Sequence, residues 1–546
     1  MSKATAVAAR LTSLLLGLGP ARTRNVRSEL NLEVPMEDGV VLYADRWYPR
    51  DAPGAPIILM RSPYGRSGPL SVLGHLFAER GYQAVIQSCR GTFGSGGTFV
   101  PFRDEVPDGR ATLAWVQEQD WFTGTVGTWG ASYLGLTQWA MAADNPPFVK
   151  AMAMSVTDSD CGGSVIMPGG AFALESSLLW ACQNKLPPPA GFVAGRKRAE
   201  EFNKRLPTAY AQLPLAAGDV ALVDQTVDFY QEWLEHNDPQ DPWWDAGDFS
   251  PAVPGTEARV SMVAGWYDLF MPFQLEDFTR LQAAGRQPRM VVGPWAHGDG
   301  GLFKSSLRDA IDLFAETLLE RPGKPRRALR LQLVGDKRWV EFDQWPPPGR
   351  SVDWFLHPAG RLAQDAPPES PPDAYRYDPA DPTPGVGGPS LSESNRGPRD
   401  NRPREARSDV LTYTSEIFKA DTSYIGPIQV CVHFESSLRN TDIHVTLCDV
   451  DPKGVSLNLA SGILRRRDVE TAADTPLGVE MWPLGCTIKA GHCLRVQVAS
   501  GAHPTYARNL GTGEPLTTGT AMMVAEQRVF HDPGHPSRVT LNEVAL

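Results

Sequence analysis

The sequence predicts an α/β fold, a parallel sheet covered on both faces by helices, with a helical insertion and a second, all-β part. Three patterns carry that prediction. From residue 56 to 156, short apolar runs alternate with segments of helical periodicity, as strand-helix repeats do. Between about Ser159 and Pro254 the strand pattern stops and only helix-like segments remain. From Asp409 to Leu546 the pattern becomes short alternating runs separated by turn clusters such as Asp451-Pro452-Lys453-Gly454. At 546 residues the chain is also too long for one core, so several domains are expected.

In order, Leu30 to Tyr48 reads as a hairpin turned at Glu37-Asp38-Gly39. Pro56 to Arg61 is a buried strand, Leu70 to Arg80 a helix, and Gln83 to Gln87 a strand. A glycine-rich loop, Arg90 to Gly97, precedes a helix over Pro107 to Gln119 whose Ala111, Ala114 and Trp115 share a face. Gly124 to Trp129 is a strand, Tyr133 to Ala143 a helix, and Val149 to Val156 a strand. In the insertion, helices are expected over Ala171 to Asn184, Val193 to Arg205 and Ala221 to His236, with a break at Pro187-Pro188-Pro189. Such an insertion is the usual place for a lid. Strand-helix alternation resumes with Ala258 to Ala264, Phe273 to Ala284, Arg289 to Val292 and Leu307 to Glu320. Pro367 to Pro389 reads as a long loop. Leu329 to Val334, Ile428 to Phe434, Ile443 to Asp449 and Cys493 to Ser500 read as strands of an antiparallel β-sandwich.

Composition narrows the function. A formal net charge of −11 argues against non-specific binding to nucleic acid or anionic membrane. Seven scattered cysteines, with no Cys-x-x-Cys pair, fit a reducing, cytoplasmic setting better than a disulfide framework. The ten histidines lie apart without metal-ligand spacing, so no metal or other cofactor is expected. Leu11 to Leu18 is apolar but too short to span a bilayer, which needs about 20 residues. It reads as a short amphipathic helix on the body or a surface, with a cleaved leader as the alternative.

The chemistry centres on Trp129-Gly130-Ala131-Ser132-Tyr133-Leu134-Gly135. A serine between small residues at a strand-to-helix junction has the form of a nucleophile elbow. Its second glycine comes one place later than in G-x-S-x-G, with Leu134 where it would usually stand. Downstream, one strand runs into Gly265-Trp266-Tyr267-Asp268 and another into Gly293-Pro294-Trp295-Ala296-His297-Gly298. The order Ser132, Asp268, His297 is that of the α/β-hydrolase fold. A serine hydroxyl becomes a useful nucleophile only when a neutral imidazole takes its proton and a carboxylate fixes the imidazole tautomer. Asp158 or Asp160 could supply the acid instead, leaving Asp268 as a helix cap.

These motifs resemble the CocE/NonD-type serine hydrolases, the group of cocaine esterase, Xaa-Pro dipeptidyl-peptidases and α-amino-acid ester hydrolases. The resemblance also rests on Ser62-Pro63-Tyr64, Cys89-Arg90-Gly91 with Gly94-Ser95-Gly96-Gly97, and Asp409-Val410-Leu411-x-Tyr413. It implies an α/β-hydrolase core in two parts (1–156 and 255–327), a helical cap (157–254) and a C-terminal jelly roll (328–546). It also implies an oxyanion hole made of the Tyr133 N–H and the Tyr64 hydroxyl. Trp266 and Trp295 are candidates for walling the acyl pocket, or for simple packing. Ser88 stands where the family often has an aspartate. No acidic cluster for gripping a substrate amine is visible, which favours an uncharged ester or amide of small-molecule size. An acyltransferase using the same acyl-enzyme, an Xaa-Pro dipeptidyl-peptidase and a non-catalytic ligand-binding protein are the competing readings. A homodimer is compatible with the sequence, which does not encode the oligomeric state legibly.

Overall fold

The structure is a computed structural model that describes residues 3–187 and 192–546. Its first part is a ten-stranded sheet. The strands are β1 (Val26–Pro35), β2 (Val41–Pro49), β3 (Ile57–Ser62), β4 (Gln83–Ser88), β5 (Val126–Ala131), β6 (Val149–Ser155), β7 (Arg259–Tyr267), β8 (Arg289–Ala296), β9 (Leu329–Gln332) and β10 (Trp339–Phe342). Their spatial order is β1-β2-β4-β3-β5-β6-β7-β8-β9-β10. The run from β4 to β9 is parallel, while β1, β2 and β10 pair antiparallel at the edges. β3 and β4 are buried at every residue, as a sheet covered on both faces requires.

Among the described residues, the α-helices before residue 320 are α1 (Lys3–Leu15), α2 (Pro69–Ala78), α3 (Glu105–Gln117), α4 (Tyr133–Ala142), α5 (Leu174–Lys185), α6 (Phe192–Tyr210), α7 (Gly218–Val223), α8 (Asp228–Glu235), α9 (Met271–Ala283) and α10 (Gly300–Leu318). One apolar layer joins α2 and α10 to the sheet through Phe77, Phe314 and Trp129. The segment after α1 is tied down by Arg308, which donates to the carbonyls of Leu16 and Gly17. Among the described residues, no helix is long and apolar enough to cross a membrane.

Helices α5 to α8 lie between β6 and β7, where strand signals vanish from the sequence. The expected helix over Ala221 to His236 is two, α7 and α8, because Asp224 turns left-handed (φ 59°) and ends the first. Of the expected proline break, Pro188 and Pro189 lie outside the described residues.

Two expectations in the second half need correction. Leu329–Gln332 belongs to the core sheet, not the β-sandwich: β9 pairs in parallel with β8 in the register Met290↔Leu329. Short alternating strands encode a buried face but not a partner sheet, and β9 sits at the junction. The next residues do reach across, since Val334 N–H donates to Gly485 and Thr487 N–H to Val334. The expected loop at Pro367–Pro389 contains a strand, Asp373–Tyr377, paired with Ala525–Phe530. The rest of the C-terminal part is a jelly-roll-like β domain built on long antiparallel pairs such as Thr441–Val450 with Ser456–Arg466.

Candidate active site

Ser132 stands between the end of β5 and the first residue of α4, with φ 56° and ψ −129°. A non-glycine residue there carries strain of about 1–3 kcal/mol and persists only where its surroundings impose it. The glycines around it show the imposition. A Cβ on Gly130 would lie 2.3 Å from Leu134 Cβ, and one on Gly135 would lie 2.4 Å from Thr157 Cγ2. The late second glycine is therefore where α4 crosses the end of β6. Leu134 occupies the usual glycine place because the close approach there is to Gly130.

A buried ionic group sits under the elbow. The Tyr133 hydroxyl donates to Glu105 Oε1 at 2.8 Å and accepts from the Phe102 N–H at 3.0 Å. Glu105 Oε2 pairs with Arg61 at 2.8 Å, both nearly inaccessible to water. Arg61 also donates to Gln87, at 2.8 Å. The glycine-rich loop braces the same group from outside. Its Arg90 grips Asp108 of α3 at 2.6 Å and Asp38 at 2.7 Å. Gly91, at φ 68°, would bring a Cβ within 2.2 Å of the Phe99 nitrogen. Burial, reinforced by Glu105, holds the Tyr133 phenol well above the usual tyrosine range. It stays a neutral donor. Ser88, at the position where the resemblance expects an aspartate, instead accepts from Arg66 at 2.7 Å.

Asp268 and His297 come together across two loops. His297 Nδ1 is 2.7 Å from Asp268 Oδ2. Asp268 is fully buried, and its other oxygen accepts the Phe270 N–H at 2.9 Å. With Nδ1 engaged by the carboxylate, Nε2 is the nitrogen left for chemistry. Ser132 and His297 both line one cavity of about 1470 Å³, together with Tyr64 and Tyr133. The Tyr64 oxygen accepts from Trp180 Nε1 at 3.1 Å, so the phenol directs its own proton elsewhere.

Trp266 and Trp295 do not wall that cavity. Trp266 is buried at the junction of the two parts, where its Nε1 donates to Gln332 and its ring presses on Gly485. Trp295 packs over Gly293 and Gly301 and faces Trp339 at 6.4 Å. Both stand at strand ends two residues before Asp268 and His297, yet neither lines the cavity, because the β7–β8 register shifts at that point. The aromatic wall comes from elsewhere. Trp180 of α5 stacks on Tyr133 (6.0 Å, 10°) and on Trp233 of α8 (5.9 Å, 23°), with Phe102 beside them. Glu175 of α5 also lines the cavity, buried, with burial pushing its carboxyl up against hydrogen bonds from Ser390 and Asn395. Nothing in helical spacing marks these residues off from ordinary cap packing. No group of three or more His, Cys, Asp or Glu side chains arranged to hold a metal occurs among the described residues.

The family described as X-Pro dipeptidyl-peptidase (S15 family) matches residues 38–299, and its C-terminal non-catalytic domain matches residues 324–540. Cocaine esterase of Rhodococcus sp. (strain MB1 Bresler) is 30% identical over 585 aligned positions, covering 94% of this chain and 97% of that protein. This chain is a CocE/NonD-type serine hydrolase. A putative serine esterase of Mycobacterium bovis is 24% identical, covering 79% of this chain and 80% of its own. Two solved structures share the fold of this hydrolase. An α-amino acid ester hydrolase superposes with a TM-score of 0.80, at 22% identity, over 95% of this chain and 97% of its own. An aminopeptidase from the marine sediment archaeon Thaumarchaeota archaeon gives 0.79 at 22% identity, over 95% and 97%. The CocE/NonD hydrolase acts as an esterase or peptidase through an acyl-enzyme, on a small-molecule ester or amide.

Proposed function

We propose that this enzyme hydrolyses a small uncharged ester whose acyl group lies against the Trp180–Tyr133 wall, with Ser132 as nucleophile. His297 takes the serine proton through Nε2, and Asp268 fixes its tautomer and balances the imidazolium. Ser132 Oγ adds to the carbonyl carbon, and the carbonyl oxygen becomes an oxyanion. The Tyr133 N–H and the Tyr64 hydroxyl donate to that oxygen. His297 then returns the proton to the leaving alcohol, and the cycle repeats with water to release the acid. The observation that carries this reading is the 2.7 Å Asp268–His297 contact at the rim of the cavity that also holds the strained Ser132. The apolar wall of Trp180, Trp233, Phe102 and Tyr133 supports an uncharged acyl group.

A second reading keeps the same chemistry but places an amine on the substrate. Glu175 favours it, as a carboxyl at the cavity not visible in sequence. A panel of aryl esters, aryl amides and their α-amino counterparts separates the two. Ser132→Ala should lower turnover of the best substrate by about 10⁴-fold or more with the fold intact by circular dichroism. Tyr64→Phe should cost about 10²–10³-fold in kcat with little change in KM. Full activity in Ser132→Ala would overturn the assignment. A strong preference for α-amino substrates, lost in Glu175→Gln, would select the second reading.

A further inference from the structure

The C-terminal domain reaches into the site through residues 384–400. This loop is held rigidly. Gly388 and Gly397 exchange backbone hydrogen bonds at 2.8 and 3.0 Å, and Gly387 N–H donates to Asn395 Oδ1 at 2.9 Å. Asn458, on the strand Ser456–Arg466, anchors it by accepting from Arg399 N–H at 2.7 Å and donating to Gly397 at 3.2 Å. From this brace Arg396 extends to the histidine loop. Its Nη1 donates to the His297 carbonyl oxygen at 2.8 Å, and its Nη2 pairs with Asp299 at 3.2 Å. Asp299 in turn accepts the Ala296 N–H at 2.8 Å, closing a ring around His297.

The histidine needs such a clamp. It lies in the short link between β8, ending at Ala296, and α10, starting at Gly300, next to Gly298 at φ 81°. Asp268 fixes one ring nitrogen but not the backbone from which the ring swings. A proton shuttle that wanders by about 1 Å can lose about 100-fold in rate. The Arg396 cation is balanced by Asp299, so the clamp positions His297 without opposing the imidazolium that forms in each step.

We propose that Arg396 is a positioning residue for His297, so that the domain described in this family as non-catalytic completes the general base. The inference rests on His297 being that base, as proposed above. Arg396 also borders the cavity, so a substrate-binding role is its natural rival, and that role would move KM.

The test uses the full-length enzyme with an aryl ester and a fluorophosphonate probe. Arg396→Ala should lower kcat by about tenfold or more, with KM within about threefold. Labelling of the serine should slow in parallel, because it needs the same base and no substrate contacts. Arg396→Lys, which keeps the charge and one donor, should fall between the two. Millimolar guanidinium should restore part of the kcat of Arg396→Ala and none to the parent enzyme. If Arg396→Ala does not fold, Arg396→Lys carries the test, and parental kcat in that variant overturns the proposal. So does a raised KM with kcat and labelling intact. His297→Ala is the control: full labelling in it would overturn the base assignment itself, whereas its loss beside an unaffected Arg396→Ala would overturn this inference alone.

Discussion

The two halves of the site are held in different ways. The Ser132–Tyr133 half is supported from beneath by Arg61, Glu105, Asp108 and Gln87, all from the first 110 residues and within one layer of the core. The Asp268–His297 half is supported from outside. Trp482 donates its indole N–H to the Asp268 carbonyl at 2.9 Å, and Arg396 grips the His297 carbonyl. One half is a folding unit and the other is a domain interface. Damage to the first should appear mainly as lost stability, and damage to the second as lost turnover.

The largest expected effect breaks the first half. Glu105→Ala removes the carboxylate 2.8 Å from the buried Arg61 guanidinium and leaves the Asp108 carboxylate 3.8 Å away, with the neutral acceptors Gln87 and the residue 105 carbonyl. Removing one partner of such a pair costs about 3–5 kcal/mol, because the remaining charge has no water to replace the lost carboxylate. A clear fall in melting temperature and in the denaturant midpoint should follow. Protein that does fold should keep most of its kcat. An unchanged melting temperature would mean that the ionic group is not what holds the elbow.

The same contrast decides what the sequence revealed. The elbow is local: Gly130, Ser132 and Gly135 meet their constraints within five residues and one neighbouring strand end, so spacing alone pointed to it. Chain order pointed to Asp268 and His297, because loops after successive parallel strands must open on one rim. Pairings between distant parts left no such trace. The arginine at 396 lies in a stretch rich in Ser, Gly and Pro, and Trp482 is one of 15 tryptophans with no periodic mark. Trp266 and Trp295 misled for the matching reason. Each stands two residues before a candidate triad residue, a spacing that shares a face in a regular strand. The β7–β8 register shifts between Gly265 and Tyr267, however, so the alternation does not carry through to the loops. The allegiance of β9 was hidden too, since a four-residue strand records which face is buried but not which sheet it joins.

A sharper test of the interface half is Trp482→Phe. The ring volume is largely kept, but the Asp268 carbonyl loses the shorter of its two donors and keeps the Met271 N–H at 3.3 Å, at a cost of about 0.5–1.5 kcal/mol. Because that carbonyl belongs to the residue that orients His297, the cost should appear in kcat. We expect a fall of about three- to tenfold, with KM little changed and a loss of melting temperature smaller than in Glu105→Ala. If Trp482→Phe instead lowers the melting temperature as much as Glu105→Ala and spares kcat, the division between the halves is wrong.

The smallest effect concerns pH, and lies just behind the interface half on α9. Asp277 is fully enclosed, and burial pushes its carboxyl up to about 7, against the Ser159 hydroxyl at 2.5 Å and Arg280 at 3.3 Å. The folded state therefore holds this proton more tightly than the unfolded chain, where an aspartate titrates near 3.8. Between those values folding takes up a proton, so this group's contribution to stability declines as pH rises from about 4 to about 7 and is level above that. Asp277→Asn removes the titration while keeping an acceptor for Ser159. The variant should gain stability relative to the parent at pH 8 and lose that advantage at pH 4, as read from paired denaturant midpoints. A gain equal at both pH values would show that ionisation of Asp277 does not set this contribution to stability.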